Sequence, residues 1–406
     1  MVGPRVPDHM QEKYCVRNFE INSIFGHSMN CDSADYILNT SNPKRLLEED
    51  SIRQARPGLI INASIYSFFI DKFFDFFGYN DDYPKTTFID TKNGSYEVFE
   101  NYNPRIIYFS YFLLNVKILV FSLFFYFRIF KKSILNPLHY KDWLIWFSLV
   151  LVVNNIVNQF MWSPSTKLLN IFCSLFTIYF SIKLISKELN LKKIYLINII
   201  CGVLTLYYAV FFLSFVIFNL LFFLFYKKKL FNILINSLLF ITPYAIWYKY
   251  ITDLNQTFYF SNFTDYNFIL WIRDSYNTFG FLKTINSISS GYYIFFSSFF
   301  KQYFLFFIFA PIFLYFYLKK KSLAFNNSIV LSCTIFIIFF SSFFVVLGHK
   351  PQNITACLII PFVILFSEII RANRTKKDNE NFFKKTFLTI FPIYFFWSLI
   401  KFGPYS

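Results

Sequence analysis

The residues best placed to do chemistry lie between Cys31 and Gly58, in CDSADYILNTSNPKRLLEEDSIRQARPG. Asp32 and Asp35 are three apart, so in a helical turn they share a face. Two carboxylates placed in this way can take a proton from a hydroxyl, or together hold a divalent cation such as magnesium or manganese. Arg53 and Arg56 share a face by the same spacing, and Pro57 with Gly58 closes that turn before an apolar run begins. Paired guanidinium groups suit a phosphate, because each donates in a planar fork. A third basic element, His349-Lys350, sits far downstream in the short loop GHKPQN. The same residues also suit a solvated acidic turn and simple basic anchors at a membrane interface.

These groups are set in a chain of 406 residues that is 56% hydrophobic and 24% aromatic, with only 15% charged residues. With a mean hydropathy of +0.44, that composition indicates an integral membrane protein. The formal net charge of +16 does not indicate nucleic acid, because the lysines form short clusters between apolar runs, the pattern of a positive-inside membrane protein. Soluble-enzyme signatures are missing: the sequence contains no P-loop, no G-x-G-x-x-G, no G-x-S-x-G and no closely spaced zinc-ligand set. Cys173, Cys201, Cys333 and Cys357 fall in apolar runs and read as small buried hydrophobes, while Cys15 and Cys31 precede the first span and are free to pair.

Hydropathy divides the chain into an N-terminal region, 1–104, and a polytopic helical domain, 105–406. The N-terminal 30 residues are polar and show no signal-peptide core. Leu59 to Phe77 is apolar but carries Asp71, Lys72 and Asp75, which predicts a helix lying on the membrane surface. Residues 78–104 read as a polar loop. Spans follow at 105–130, 143–161 and 167–186. The run from Lys193 to Tyr226 is too long for one crossing and reads as a tight hairpin turning around Leu206 to Ala209. Further spans are expected at 230–250, 300–318, 327–347, 353–370 and 386–402, with a polar loop over 251–299. The expected fold is therefore all-α, with about ten transmembrane helices. The clusters Lys131/Lys132, Lys192/Lys193, Lys227 to Lys229, Lys319 to Lys321 and Arg371 to Lys385 all fall on one side, assigned as cytoplasmic. The acidic turn, the arginine pair and His349-Lys350 then face outward, where they are expected to meet over one cavity. Asn154, Asn155, Asn158 and Gln159 either line that cavity or bond helix to helix.

This layout resembles the polytopic GT-C glycosyltransferases, among them the protein mannosyltransferases. CDSADY at 31–36 looks like the acidic motif of that family's first outer loop, and RQARPG at 53–58 is similar to the end of the same loop. WSPSTKLLN at 162–170 resembles the second outer loop, and GHKPQNITACLIIP at 348–361 the late basic loop before a Pro-containing span. The family carries a spanning helix ahead of the acidic loop, whereas residues 1–30 contain no such stretch. The resemblance implies inverting transfer of one sugar from a polyprenyl-phosphate donor to a glycan, lipid or protein acceptor. It makes Asp32 the general base, assisted by Asp35 and a divalent cation, and makes Arg53, Arg56, His349 and Lys350 the donor-phosphate ligands. It implies the inner membrane of a bacterium as the location. A polymerase of lipid-linked repeats and a flippase are the alternatives.

Overall fold

The computed structural model describes residues 16–20, 26–49, 51, 53–77, 87–90, 95–98, 104–133, 154–161, 163–226, 230–255, 257–258, 269–304, 327–348, 352–372, 393 and 396. Helices dominate them. Two short antiparallel hairpins, β1 (Val16–Glu20) with β2 (Gly26–Asn30) and β3 (Thr87–Asp90) with β4 (Ser95–Val98), fall inside segments that hydropathy marks only as polar. Among the described residues three helices are long and apolar enough to cross a membrane: Ile106–Lys131, Leu230–Asn255 and Ser328–Val346.

The acidic stretch forms α1 (Cys31–Ser41), which follows β2 directly. The apolar run forms α2 (Pro57–Phe76). Proline suits the first position of a helix, where its missing N–H costs nothing. Helix α3 (Pro104–Ser133) receives both. Tyr36 and Ile37 of α1, Leu59, Ile60 and Ala63 of α2, and Ile107, Tyr111 and Leu114 of α3 form one buried cluster. Helices α1 and α2 are thus packed onto α3. Only the first turns of α2 are buried; Ile65, Phe68, Phe69, Phe73 and Phe76 on its remainder are exposed. That exposed stripe is apolar, the kind of face that lipid covers more cheaply than water.

The main core is built from α5 (Leu169–Ile185), α6 (Leu191–Thr205) and α7 (Phe211–Tyr226), with α10 (Asn327–Val346) and α12 (Ile359–Ala372). The short α4 (Asn155–Phe160) precedes them, and most of the span expected at 143–161 lies outside the described residues. The hairpin turn expected around Leu206 to Ala209 is present as the link between α6 and α7. Helix α8 (Leu230–Asn255) packs back on α6 around Pro243. Buried amides tie the three together: Asn219 Nδ2 donates to Asn198 Oδ1 at 3.2 Å, and Asn236 Nδ2 to Asn219 Oδ1 at 2.9 Å.

One expectation is overturned. Most of the stretch read as a polar loop, 251–299, belongs to the end of α8 and to α9 (Leu270–Gln302), a helix kinked at Gly280. Its many Ser, Thr and Asn residues depress hydropathy without preventing a helix. Several return their hydroxyls to the preceding turn, as Thr284 does to the Gly280 carbonyl at 3.0 Å and Ser287 to the Lys283 carbonyl at 3.0 Å. The spans expected at 300–318 and 386–402 lie almost wholly outside the described residues. The last described stretch, α11 (Gln352–Thr355), a 3-10 turn over Ala356–Leu358 and α12, occupies the span expected at 353–370.

Candidate functional site

Helix α1 presents Asp35 to Arg53 across the connection that follows it. Arg53 Nη2 lies 3.3 Å from Asp35 Oδ2, and the guanidinium sits 4.3 Å from the centroid of the Tyr36 ring. The Arg53 side chain is 4% exposed and that of Asp35 39%, so the pair is anchored on its basic side and open on its acidic side. Tyr36 is itself held: its carbonyl accepts from Thr40 Oγ1 at 2.7 Å and from Tyr111 OH at 3.2 Å. Asp32 occupies the first turn of α1, one turn before Asp35, and its side chain lies outside the described residues. The neighbouring Ser33 hydroxyl is 2.8 Å from that of Ser163, which brings the 162–170 loop against α1. Asn115 of α3 fixes the same loop by donating to the carbonyls of Phe160, Met161 and Ser163 at 3.0–3.1 Å.

The arginine turn is held from the other side by the α6–α7 link and by α8. Gly58 N, one of the N–H groups that a helix start leaves without an internal partner, donates to the Leu206 carbonyl at 3.1 Å. A Cβ at Gly58 would stand 2.5 Å from the Tyr207 ring, so any side chain at this position has to displace that ring. Trp247 of α8 donates its indole N–H to the Gln54 carbonyl at 2.8 Å, and Asn255 donates to that of Leu47. Arg56, at the N-cap of α2, is thereby set into the wall of a cavity of about 210 Å³. The other walls are apolar or small: Ala55, Thr205, Ala209, Phe212, Phe240, Ile241 and Tyr244. Arg56 Nε is buried without a hydrogen-bond partner among the described residues. Arg53 and Arg56, equivalent by spacing, therefore differ in position. Arg53 is committed to Asp35 and Tyr36, and Arg56 faces a greasy cavity.

Tyr208, in the α6–α7 link, ties the remaining elements to this place. Burial pushes its phenol up to about 12, against the pull of the Asn170 amide and the Arg56 guanidinium; Tyr36 and Cys357 also act on it. It is therefore a neutral hydroxyl at physiological pH. Cys357 belongs to the late segment 348–361. The two described ends of that segment are pinned by α9: Trp271 Nε1 donates to the Val346 carbonyl at 2.8 Å and packs on Gly348, and Gln302 Nε2 donates to Thr355 Oγ1 at 3.3 Å. Gly348 has φ of +69°, which favours glycine. His349 and Lys350 lie outside the described residues. Asn154 is used for packing: it donates to the Ala356 carbonyl at 3.0 Å and to Tyr303 OH at 3.3 Å. The side chains of Asn158 and Gln159, and Cys15 with the Cys31 side chain, also lie outside the described residues.

Among the described residues no group of three metal-ligating side chains gathers. Asp35, already paired with Arg53, is poorly disposed to bind a divalent cation as well, since the guanidinium repels it. Sequence reasoning missed Tyr36 as the platform for Arg53, and missed Tyr208 and Trp247 altogether. The aromatic in CDSADY and the tyrosine pair in the expected hairpin turn were the available signals. The chain matches no protein-family model, no curated protein and no solved structure.

Proposed function

We propose that this protein is a multi-pass membrane glycosyltransferase of GT-C type, with about ten spans, working at the outer face of a bacterial inner membrane. Its donor is a polyprenyl-phosphate sugar and its acceptor a glycan, lipid or protein hydroxyl. The observation that carries this reading is Arg56: a cation with a buried Nε that has no hydrogen-bond partner among the described residues, in the wall of a mostly apolar cavity. A phosphate on a hydrocarbon chain matches that combination, since the guanidinium takes the anionic head while Phe212, Phe240 and Ile241 accept the tail.

In the proposed reaction the acceptor oxygen attacks the anomeric carbon of the sugar as the bond from that carbon to the phosphate oxygen breaks, with inversion. The acceptor proton passes to Asp32, and the electron pair leaves with the lipid phosphate. Arg56, with His349 and Lys350, neutralises the charge developing there, where electrostatic stabilisation has its largest effect. Asp35 and Arg53 act by holding α1 against the arginine turn. No step passes through a divalent cation.

The test is transfer of radiolabel from a polyprenyl-phosphate sugar in purified membranes. A positioned base contributes about 10² to 10⁴ in rate, so Asp32→Asn should abolish transfer without loss of expression. Wild-type turnover in Asp32→Asn would remove the mechanism at its centre. Label that crosses the membrane without being transferred would instead identify a flippase, and a ladder of lipid-linked products a polymerase.

A further inference from the structure

Lys117 is exposed inside α3, one of the helices long enough to cross a membrane, and stands well away from the basic residues at its end, Arg128 and Lys131. It lies 14 residues from Lys131, about 21 Å at 1.5 Å per residue. With Lys131 at one boundary of a hydrocarbon core of about 30 Å, Lys117 falls about 9 Å short of the other. A cation at that depth is costly unless it reaches the interface or is neutralised. No carboxylate pairs with Lys117 among the described residues. Its Nζ donates to Tyr66 OH at 3.2 Å and lies 5.5 Å from that ring's centroid. One turn back on α2, Asn62 donates to Tyr207 OH. The amide and two phenols make a small polar ledge beside the lysine. On the same face of α3, at one and two turns from Lys117, Phe121 and Phe124 are exposed, which continues the ledge as a strip fit for an acyl chain.

From this we infer that Lys117, with Tyr66, Tyr207 and Asn62, holds the phosphodiester headgroup of an anionic glycerophospholipid, drawn inward from the nearer leaflet with its acyl chain along Phe121 and Phe124. The lipid supplies the missing counter-charge. By fixing Tyr207 and Asn62 it also steadies the start of α2, where Gly58 meets the same tyrosine and Arg56 lines the cavity. The site depends on α3 crossing a membrane and not on sugar transfer, so its failure and that of the proposed reaction are distinguishable.

Full-length protein reconstituted in nanodiscs of mixed phosphatidylglycerol and phosphatidylcholine, then released into detergent, is assayed by native mass spectrometry for retained lipid. The wild type and Lys117→Arg should retain phosphatidylglycerol in preference to phosphatidylcholine. Lys117→Met should lose that preference about fivefold, the ratio expected for one cation at an anionic membrane surface. Tyr66→Phe, which leaves the charge in place and disturbs the fold less, should lower retention about twofold. Wild-type retention in Lys117→Met or Tyr66→Phe would overturn the site. Displacement of phosphatidylglycerol from the wild type by millimolar inorganic phosphate would also overturn it, by showing a site for the free anion.

Discussion

Gly202→Ala tests whether the α6–α8 contact positions the arginine turn. A Cβ at Gly202 would stand 2.2 Å from the Phe240 carbonyl oxygen and 3.2 Å from Pro243 Cδ. The first distance is 1.2 Å inside the 3.4 Å at which ordinary contact begins. The obstacle is backbone and cannot rotate away, so α8 must move outward by about that amount. A backbone overlap this deep sits at the upper end of the roughly 1–3 kcal/mol that overpacking costs, and the better helix propensity of alanine returns up to about 1 kcal/mol, leaving a net loss of about 2 kcal/mol. Trp247 is one turn beyond Pro243, so the shift also stretches its 2.8 Å bond to the Gln54 carbonyl and displaces the turn that carries Arg56. The thermal midpoint in detergent, followed by fluorescence-detected size exclusion, should fall, and KM for the donor lipid should rise with it. Gly58→Ala should cost less, although its Cβ meets the Tyr207 ring at 2.5 Å, because a ring can turn aside. An unchanged or raised midpoint for Gly202→Ala, or a larger loss for Gly58→Ala, would refute the reasoning.

Arg56→Ala should lower kcat/KM for the donor about 10- to 100-fold, the range for losing a hydrogen bond to a charged group, with the thermal midpoint little changed. Asn154→Ala should destabilise by about 1–2 kcal/mol in a thermal melt, because it removes the cap on Ile156 N and the bond to the Ala356 carbonyl, while Tyr303 still donates to that carbonyl at 3.2 Å. Tyr208 is raised above its ordinary value near 10 in the folded protein, so its contribution is complete below pH about 10 and is lost as pH rises towards about 12. Tyr208→Phe should therefore melt less steeply than wild type over that alkaline window, and equal pH dependence of the two midpoints would contradict the burial assigned to Tyr208.

The membrane character, the helical turn of Asp32 and Asp35, the helix over the apolar run and the turn between α6 and α7 were legible in the sequence, although that helix begins at Pro57, which the spacing reads as the close of the arginine turn. Each depends on local chemistry: apolar runs of sufficient length, i to i+3 spacing, and lysines at both ends of an overlong run. Helix α9 was not legible, because hydropathy cannot separate a polar loop from a helix whose hydroxyls bond to its own backbone. The different placements of Arg53 and Arg56 were decided by tertiary structure alone. Two arginines three residues apart are alike in sequence, but Asp35 and the Tyr36 ring come from α1, and the cavity beside Arg56 is closed by residues from α6 to α8, about 150 to 190 positions away. Electrostatic pairing and burial depend on what the folded chain brings within a few ångströms, and no pattern within the stretch from Cys31 to Gly58 carries that information.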